Sequence, residues 1–138
     1  MRKLVKLEKP DVLCIQEVKA SKKDFPYDDV KALGFEYIAL NSMAGYNGVA
    51  ILSKLPLNDI EEFHWVGKKD ARHVKAVLPG DIELHNIYVP AGGDVPDPIE
   101  NISFAHKLTF MDDISEAWEK DAAMKKKKLR TLPTNPVI

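Results

Sequence analysis

The sequence predicts an α/β protein in which helices cover a sheet of short, buried strands. Two apolar runs of four residues, 12–15 and 49–52, have the length of strands that are buried on both faces. In residues 102–119, by contrast, apolar side chains recur at steps of three and four, which is the spacing of one helix face. With 138 residues, 45% of them hydrophobic, the chain can bury a core, and this excludes disorder along its whole length.

The first half of the chain is predicted to alternate between helices and strands. Residues 4–7 have the pattern of the last turns of a helix, and Lys9 and Pro10 end it. Because Met1 falls in the middle of that pattern, we expect the helix to be cut at its start. The other elements are a strand at 12–15, a helix at 28–33 that stops at Gly34, a strand at 35–40 and, after turn residues 45–48, a strand at 49–52.

The second half is predicted to contain a hairpin, a long loop and a long helix. Apolar and polar residues alternate in 74–78 and again in 82–88, with a turn between them. Residues 89–98 contain three prolines and two glycines, which predicts an irregular loop. The helix at 102–119 follows. Residues 124–128 are a basic run, and the final fourteen residues, 125–138, which contain two prolines, are predicted to be unstructured.

Charge and cysteine content restrict the class of protein. The 20 lysines and arginines balance 21 aspartates and glutamates, which excludes nucleic-acid binding through a general positive charge but not through a local basic site. Cys14 lies inside an apolar run and has no partner for an internal disulfide, so we interpret it as a small buried hydrophobic residue. The sequence contains neither a signal peptide nor the about 20 consecutive apolar residues of a membrane span, so we expect a cytoplasmic protein.

A few polar residues stand where a site could form. Glu17 directly follows the first buried strand, and the rigid end of a strand suits a metal-binding carboxylate, although strands also end in charged residues for solvation alone. Tyr88 ends an alternating strand and Arg72 lies in a polar stretch, and position alone fits an ordinary half-buried tyrosine and a solvated arginine. The histidines have no metal-ligand spacing with cysteine or carboxylates, so we interpret them as structural or exposed.

Several sequence blocks, taken in order, carry a resemblance to a known family. The blocks are residues 10–19, 45–54, 70–72, 86–93 and 107–111. In order and approximate spacing they resemble the endonuclease/exonuclease/phosphatase superfamily, and within it the exodeoxyribonuclease III type of abasic-site DNA repair nuclease. The resemblance implies a four-layer α/β/β/α sandwich, of which this chain would contain mainly one sheet with its covering helices, with a partial domain at 1–123 and a non-matching tail at 124–138.

The resemblance also implies a function and a set of site residues. Glu17 would be the carboxylate ligand of a catalytic Mg²⁺, or of Mn²⁺ in its place, and Tyr88 the active-site tyrosine beside the scissile phosphate. Arg72, Gln16 and Lys19 would contact the DNA backbone. The implied activity is metal-dependent phosphodiester hydrolysis at abasic sites together with 3′ to 5′ exonuclease activity. The implied partner is double-stranded DNA with abasic or 3′-blocked ends, bound by a monomer.

Some of the family's blocks do not occur in the sequence. The Gly-Asp-Phe/Leu-Asn and Ser-Asp-His segments, which supply water-orienting groups in the family, are missing, as is a preceding strand with a metal-site asparagine. We therefore expect an incomplete copy of such a nuclease. Two alternatives stay open, a catalytically inactive fragment that acts as a binding or interaction module, and a relative that acts on phosphoinositides or sphingomyelin. The block at 88–93 favours the DNA branch.

Overall fold

The computed structural model describes residues 1–131 of the chain. Helices and strands follow one another as α1 (Arg2–Glu8), β1 (Val12–Gln16), α2 (Tyr27–Ala32), β2 (Tyr37–Asn41), β3 (Val49–Ser53), β4 (Asn58–Trp65), β5 (Lys68–Leu78), β6 (Ile82–Ile87) and α3 (Ile102–Thr131). The chain forms two compact units, the first comprising Met1–Val89 and the second beginning at Pro90. The first unit therefore contains every strand.

The strands form two three-stranded antiparallel sheets. In the first sheet β3 is central, with β1 and β2 on either side, and Val49 of β3 lies opposite both Gln16 and Asn41. In the second sheet β5 is central between β4 and β6. The register places the carboxyl end of β1 beside the amino end of β3, and this edge of the first sheet carries the site described below.

Two apolar clusters hold the first unit together. One lies between the first sheet and the two short helices, and its buried members are Val5, Phe25, Val30, Phe35, Leu40, Ala50 and Leu52. The other lies between the two sheets, with Ala39, Val49 and Ile51 from the first and Val74 and Ala76 from the second. Because side chains alternate along a strand, β3 contributes to both clusters and is buried along its whole length. The unit is thus built of three layers, helices on sheet on sheet.

A chain of polar side chains crosses the second sheet. The indole Nε1–H of Trp65 donates to His73 Nδ1 at 3.0 Å, His73 Nε2 lies 2.8 Å from His85 Nδ1, and His85 Nε2 lies 2.7 Å from Glu83 Oε1. Because an indole can only donate, His73 Nδ1 must accept, and each ring then donates from Nε2 toward Glu83. Phe63 stacks on the His73 ring at 4.4 Å. The tautomer of both histidines is therefore fixed by Trp65 at one end and a carboxylate at the other.

The second unit begins with an irregular segment that is tied to the start of α3 by Asn101. The side-chain Oδ1 of Asn101 accepts hydrogen bonds from the backbone N–H groups of Ser103, at 3.0 Å, and Phe104, at 3.4 Å. Its Nδ2 donates to the carbonyls of Gly92, at 2.8 Å, and Val95, at 2.9 Å. Asn101 is thus the N-cap of the helix and the anchor of the preceding loop.

The structure agrees with the predicted fold class and adds to it. The helix before Lys9, the helix that stops at Gly34, the strand at 49–52 and the hairpin after residue 74 are all present. The described residues nevertheless contain two sheets rather than mainly one, because β4 pairs with β5 to extend the predicted hairpin. Most of the β4 side chains are exposed, so its sequence has no apolar alternation that would reveal a strand.

The prediction of a strand buried on both faces at 12–15 is wrong. β1 is partly exposed, and Cys14 is exposed rather than buried. The reason is that β1 is an edge strand of its sheet, so that within residues 1–131 only β3 flanks it. Leu13 and Ile15 pack into the cluster beneath the helices, whereas the opposite side of β1, which carries Cys14, is only partly covered.

Helix α3 is longer than its apolar stripe predicts. The sequence pattern places its end near residue 119, whereas the helix continues to Thr131. The prediction of an unstructured tail is therefore wrong for the residues up to 131. Ion pairs one turn apart, Lys120 with Glu116 at 2.9 Å and Lys125 with Asp121 at 2.8 Å, line this part of it. Residues 132–138 of the predicted tail lie outside the described residues, and the boundary at 123 stays a prediction. None of the helices in residues 1–131 has the length and apolar composition that a membrane crossing requires.

Candidate active site

Glu17 stands in a strained turn at the end of β1. Its backbone has φ 56, and Lys19 likewise has φ 56, a left-handed conformation that costs a residue other than glycine about 1–3 kcal/mol. Two backbone hydrogen bonds hold this turn, from Val18 N–H to the Gly48 carbonyl at 3.2 Å and from Lys19 N–H to the Asn47 carbonyl at 2.9 Å. Strain of this kind persists only where neighbouring groups impose it.

Gly48 supports that turn by having no side chain. A Cβ at this position would lie 2.9 Å from the Val18 Cβ, and the residue has φ 93. The same loop is fastened to β5, because Gly48 N–H donates to the Ala71 carbonyl at 3.0 Å and Asn47 Nδ2 donates to the Asp70 carbonyl at 2.7 Å. The Glu17 turn is therefore anchored through the loop to the second sheet.

The carboxylate of Glu17 meets the hydroxyl of Tyr88. Tyr88 Oη donates to Glu17 Oε1 at 2.6 Å, and Lys19 Nζ lies 3.7 Å from Glu17 Oε2. The hydrogen bond from Tyr88, with the positive charge of Lys19 beside it, lowers the pKa of Glu17. The same hydrogen bond raises the pKa of Tyr88, while the Arg72 charge acts in the opposite direction. At neutral pH the site thus presents an exposed carboxylate and a protonated phenol.

Arg72 holds Tyr88 in place. Its guanidinium carbon lies 5.2 Å from the centre of the Tyr88 ring, and one of its terminal nitrogens donates to the Tyr88 carbonyl at 3.3 Å. The backbone of Tyr88 in turn donates to the Arg72 carbonyl at 2.7 Å. Asp70 Oδ2 accepts from Arg72 Nε at 2.7 Å, and the Arg72 side chain is only 15% exposed. Arg72 is therefore a largely buried support of the tyrosine, and its contact with DNA stays a prediction.

Gln16 and Asn86 join the two sheets directly beneath the site. Gln16 Nε2 donates to Asn86 Oδ1 at 3.1 Å and to the Ile87 carbonyl at 3.0 Å. Asn86 is buried, and its Nδ2 donates to the carbonyls of Ile15 and Ala50, both at 2.9 Å. Sequence reasoning did not assign a role to Asn86. The available signal was a polar residue on the inward face of β6, two residues before Tyr88.

The structure brings all five predicted site residues into one area of the first unit. Glu17 and Tyr88 are in direct contact, and Lys19 lies beside the Glu17 carboxylate. Arg72 donates a hydrogen bond to the Tyr88 carbonyl, and Gln16 donates one to the Ile87 carbonyl. The geometry places them together, while their chemical roles stay predictions.

The donor set of this site fits an open site for a divalent metal ion rather than a closed one. In the part of the chain that the structure describes, no group of three or more histidine, cysteine and acidic side chains could enclose a metal ion. Mg²⁺ keeps most of its waters and is held by one or two carboxylates together with substrate phosphates. The exposed, ionised carboxylate of Glu17 fits such an open site, and the residues do not fit a closed structural zinc site.

Comparisons with known proteins give this geometry a context. The sequence model of the Endonuclease/Exonuclease/phosphatase family matches residues 1–129. The chain is 32% identical over 93 residues to Recombination repair protein 1 of Drosophila melanogaster, covering 65% of this chain and 13% of that protein. It is 26% identical over 125 residues to Exodeoxyribonuclease III of Haemophilus influenzae, covering 86% of this chain and 45% of that protein.

Solved structures share the fold. An AP endonuclease from Archaeoglobus fulgidus is similar with a TM-score of 0.74 and 29% identity, over 87% of this chain and 45% of that one. A 3′ phosphatase, NExo from Neisseria, solved with a product DNA hairpin, has a TM-score of 0.74 and 23% identity, over 88% of this chain and 46% of that one, and supports the fold alone. The chain therefore spans less than half the length of these relatives.

Proposed function

We propose that this chain, which belongs to the Endonuclease/Exonuclease/phosphatase family, carries the metal-binding carboxylate and the active-site tyrosine of a DNA repair nuclease. The proposed reaction is metal-dependent hydrolysis of a phosphodiester in double-stranded DNA, at abasic sites and at 3′ ends, including blocked ones. The observation that carries the proposal is the hydrogen bond between Tyr88 and Glu17, which joins the ends of strands from two different sheets. The similarity to an exodeoxyribonuclease III and to an AP endonuclease supports the choice of DNA as substrate.

In the proposed mechanism, Glu17 holds Mg²⁺ or Mn²⁺. When bound, the ion polarises the phosphate oxygens and offsets the negative charge that develops on them. Tyr88, protonated at neutral pH, donates a hydrogen bond at the same place and stabilises that charge. The cation of Arg72 keeps the phenol oriented through its ring and backbone contacts. Lys19 adds a positive charge to which a DNA phosphate can bind in a salt-dependent way.

A second candidate function is a non-catalytic module that binds DNA or another partner through the same residues. It is favoured by the side chains that the site brings together, because the Glu17 carboxylate, the Tyr88 hydroxyl and the Lys19 ammonium group are groups that can bind a metal ion and a phosphate. Binding of metal and phosphate requires only the residues assembled here, whereas hydrolysis also requires a group that activates water.

The Glu17→Gln variant tests the proposal. In an incision assay on duplex DNA with one abasic site and Mg²⁺, we expect this variant to lose at least about 100-fold in rate, because an amide is a weak ligand for the hard cation. Tyr88→Phe should lose about 100- to 1,000-fold through loss of one hydrogen bond to developing charge. Glu36→Gln, at an exposed position before β2, is the matched control and should retain the activity of the unmodified chain.

The same assay separates the two candidate functions. Cleavage that survives in Glu17→Gln at the unmodified rate would contradict the catalytic proposal. Absence of cleavage by the unmodified chain, together with DNA binding that Mg²⁺ strengthens and that Glu17→Gln weakens, would favour the non-catalytic module. Binding that falls as the salt concentration rises is expected in either case, since phosphate contacts release counterions.

A further inference from the structure

The side-chain amide of Asn86 uses all of its hydrogen-bonding atoms next to the site. Asn86 is 4% exposed. Its Nδ2 donates to the Ile15 and Ala50 carbonyls at 2.9 Å each, and its Oδ1 accepts from Gln16 Nε2 at 3.1 Å. A buried amide that makes three hydrogen bonds of good geometry is fixed in position, and it restricts the positions of the groups to which it is bonded.

The partners of Asn86 are the two strands that deliver Glu17. Ile15 and Ala50 lie opposite each other in the pairing of β1 with β3. Ile15 lies two residues before Glu17, and Ala50 lies two residues after Gly48. Gly48 is the residue that packs against the Glu17 turn. One amide from the second sheet therefore fixes both the strand end that carries the carboxylate and the strand that carries its support.

A second buried asparagine provides a comparison within the same fold. Asn41, at the end of β2, is also buried and also links the two sheets, because its Nδ2 donates to the His73 carbonyl at 2.9 Å. Both residues stand level with the same end of β3, but Asn41 is on the far side of it from β1. If buried asparagines here served only to join the sheets, loss of either would have the same local effect on Glu17.

We propose that Asn86 is a positioning residue for Glu17. Asn86 holds the end of β1 and the loop at Gly48 in the arrangement in which the Glu17 carboxylate can bind a divalent cation. This inference rests on the proposed role of Glu17 as metal ligand. Removing a side chain that orients a metal ligand typically lowers the metal affinity by about 10- to 100-fold. Asn86 touches neither metal nor DNA in this role and acts through Glu17 alone.

The experiment compares Asn86→Ala with Asn41→Ala in the full chain by two measurements. The dissociation constant of Mn²⁺, determined by electron paramagnetic resonance, is expected to rise about 10- to 100-fold in Asn86→Ala and less than about threefold in Asn41→Ala. Without metal, hydrogen exchange of the Val18 and Lys19 amides is expected to accelerate at least about tenfold in Asn86→Ala only, relative to the amides between β5 and β6. Equal changes in the two variants would overturn the proposal.

A milder variant keeps the test decisive if Asn86→Ala does not fold. Gln16→Met, at an exposed position, removes one of the three contacts of the Asn86 amide, and we expect changes of several-fold in the same direction in both measurements. Unchanged metal affinity and exchange in Gln16→Met would then overturn the proposal. If Glu17→Gln leaves Mn²⁺ binding unchanged, the metal role of Glu17 fails, whereas the exchange measurement still decides whether Asn86 holds the Glu17 turn.

Discussion

Gly48→Ala is expected to lower the free energy of unfolding by about 2–4 kcal/mol and to abolish Mn²⁺ binding that depends on Glu17. The new Cβ would lie 2.9 Å from the Val18 Cβ, 3.3 Å from the Lys19 backbone nitrogen and 3.4 Å from the Ser42 Cβ. One of these neighbours is backbone, so the clash is relieved only by moving the turn that contains Glu17. The positive φ of 93 adds strain of its own.

Gly45→Ala is the matched control for this prediction. Gly45 belongs to the same loop and has φ 81, but a Cβ there would meet nothing within 4 Å. The Gly45→Ala substitution should lower the free energy of unfolding by only about 1 kcal/mol, through backbone strain, and should leave Mn²⁺ binding intact. Urea unfolding gives the stability of both variants and paramagnetic resonance gives their Mn²⁺ affinity. A Gly48→Ala protein as stable as Gly45→Ala would show that close packing against Val18 does not support the site.

The stability of the protein is expected to fall by up to about 3 kcal/mol as the pH is lowered from 6.5 to 4, because of His73. Burial, and after it the electrostatic interactions with His85 and Lys75, lowers the pKa of His73 from 6.5 to about 4. Between those values the unfolded chain binds a proton that the folded chain does not. The contribution of His73 is therefore complete above pH 6.5 and is lost as the pH falls to about 4.

His73→Gln should flatten this pH dependence, and His64→Gln should leave it unchanged. His73 is fully buried, with His85, Trp65 and Phe63 around it, whereas His64 is an exposed residue of the neighbouring strand. Urea unfolding of each variant at several pH values between 7 and 4 gives the slope. His73→Gln will itself be less stable because it breaks the chain of hydrogen bonds, so the slope and not the absolute stability is decisive.

Local sequence patterns predicted those helices and strands whose own residues are sufficient to determine their structure. The strand at 49–52 was predictable because all four of its side chains are apolar, and β3 is buried on both sides. Gly34 marked the end of α2 because its φ of 102 suits glycine. In β4, by contrast, pairing with β5 creates a strand that is irregular in register and mostly exposed, so no local pattern predicts it. The exposure of Cys14 likewise depends on which strands flank β1, which is not a local property.

The site residues were predictable by type but not by arrangement. The resemblance of the blocks at 10–19 and 86–93 to a known family identified Glu17 and Tyr88 as candidates, because their positions at the ends of strands also fit ordinary surface residues. Two sets of contacts depend on how the second sheet folds and packs against the first. They are the contacts of Arg72 with Tyr88 and the hydrogen bonds of Asn86 to β1 and β3. A sequence does not specify such contacts locally, because the residues involved lie 16 to 71 positions apart along the chain.

The contact between Tyr88 and Glu17 has a consequence for the order of folding. The two residues are 71 positions apart, as are Gln16 and Ile87, so forming the site closes a very long loop. Closing so long a loop costs more entropy and is slower than closing a local hairpin such as β4–β5. We therefore expect the site to form together with the docking of the two sheets, and not in a chain that has formed only its hairpins.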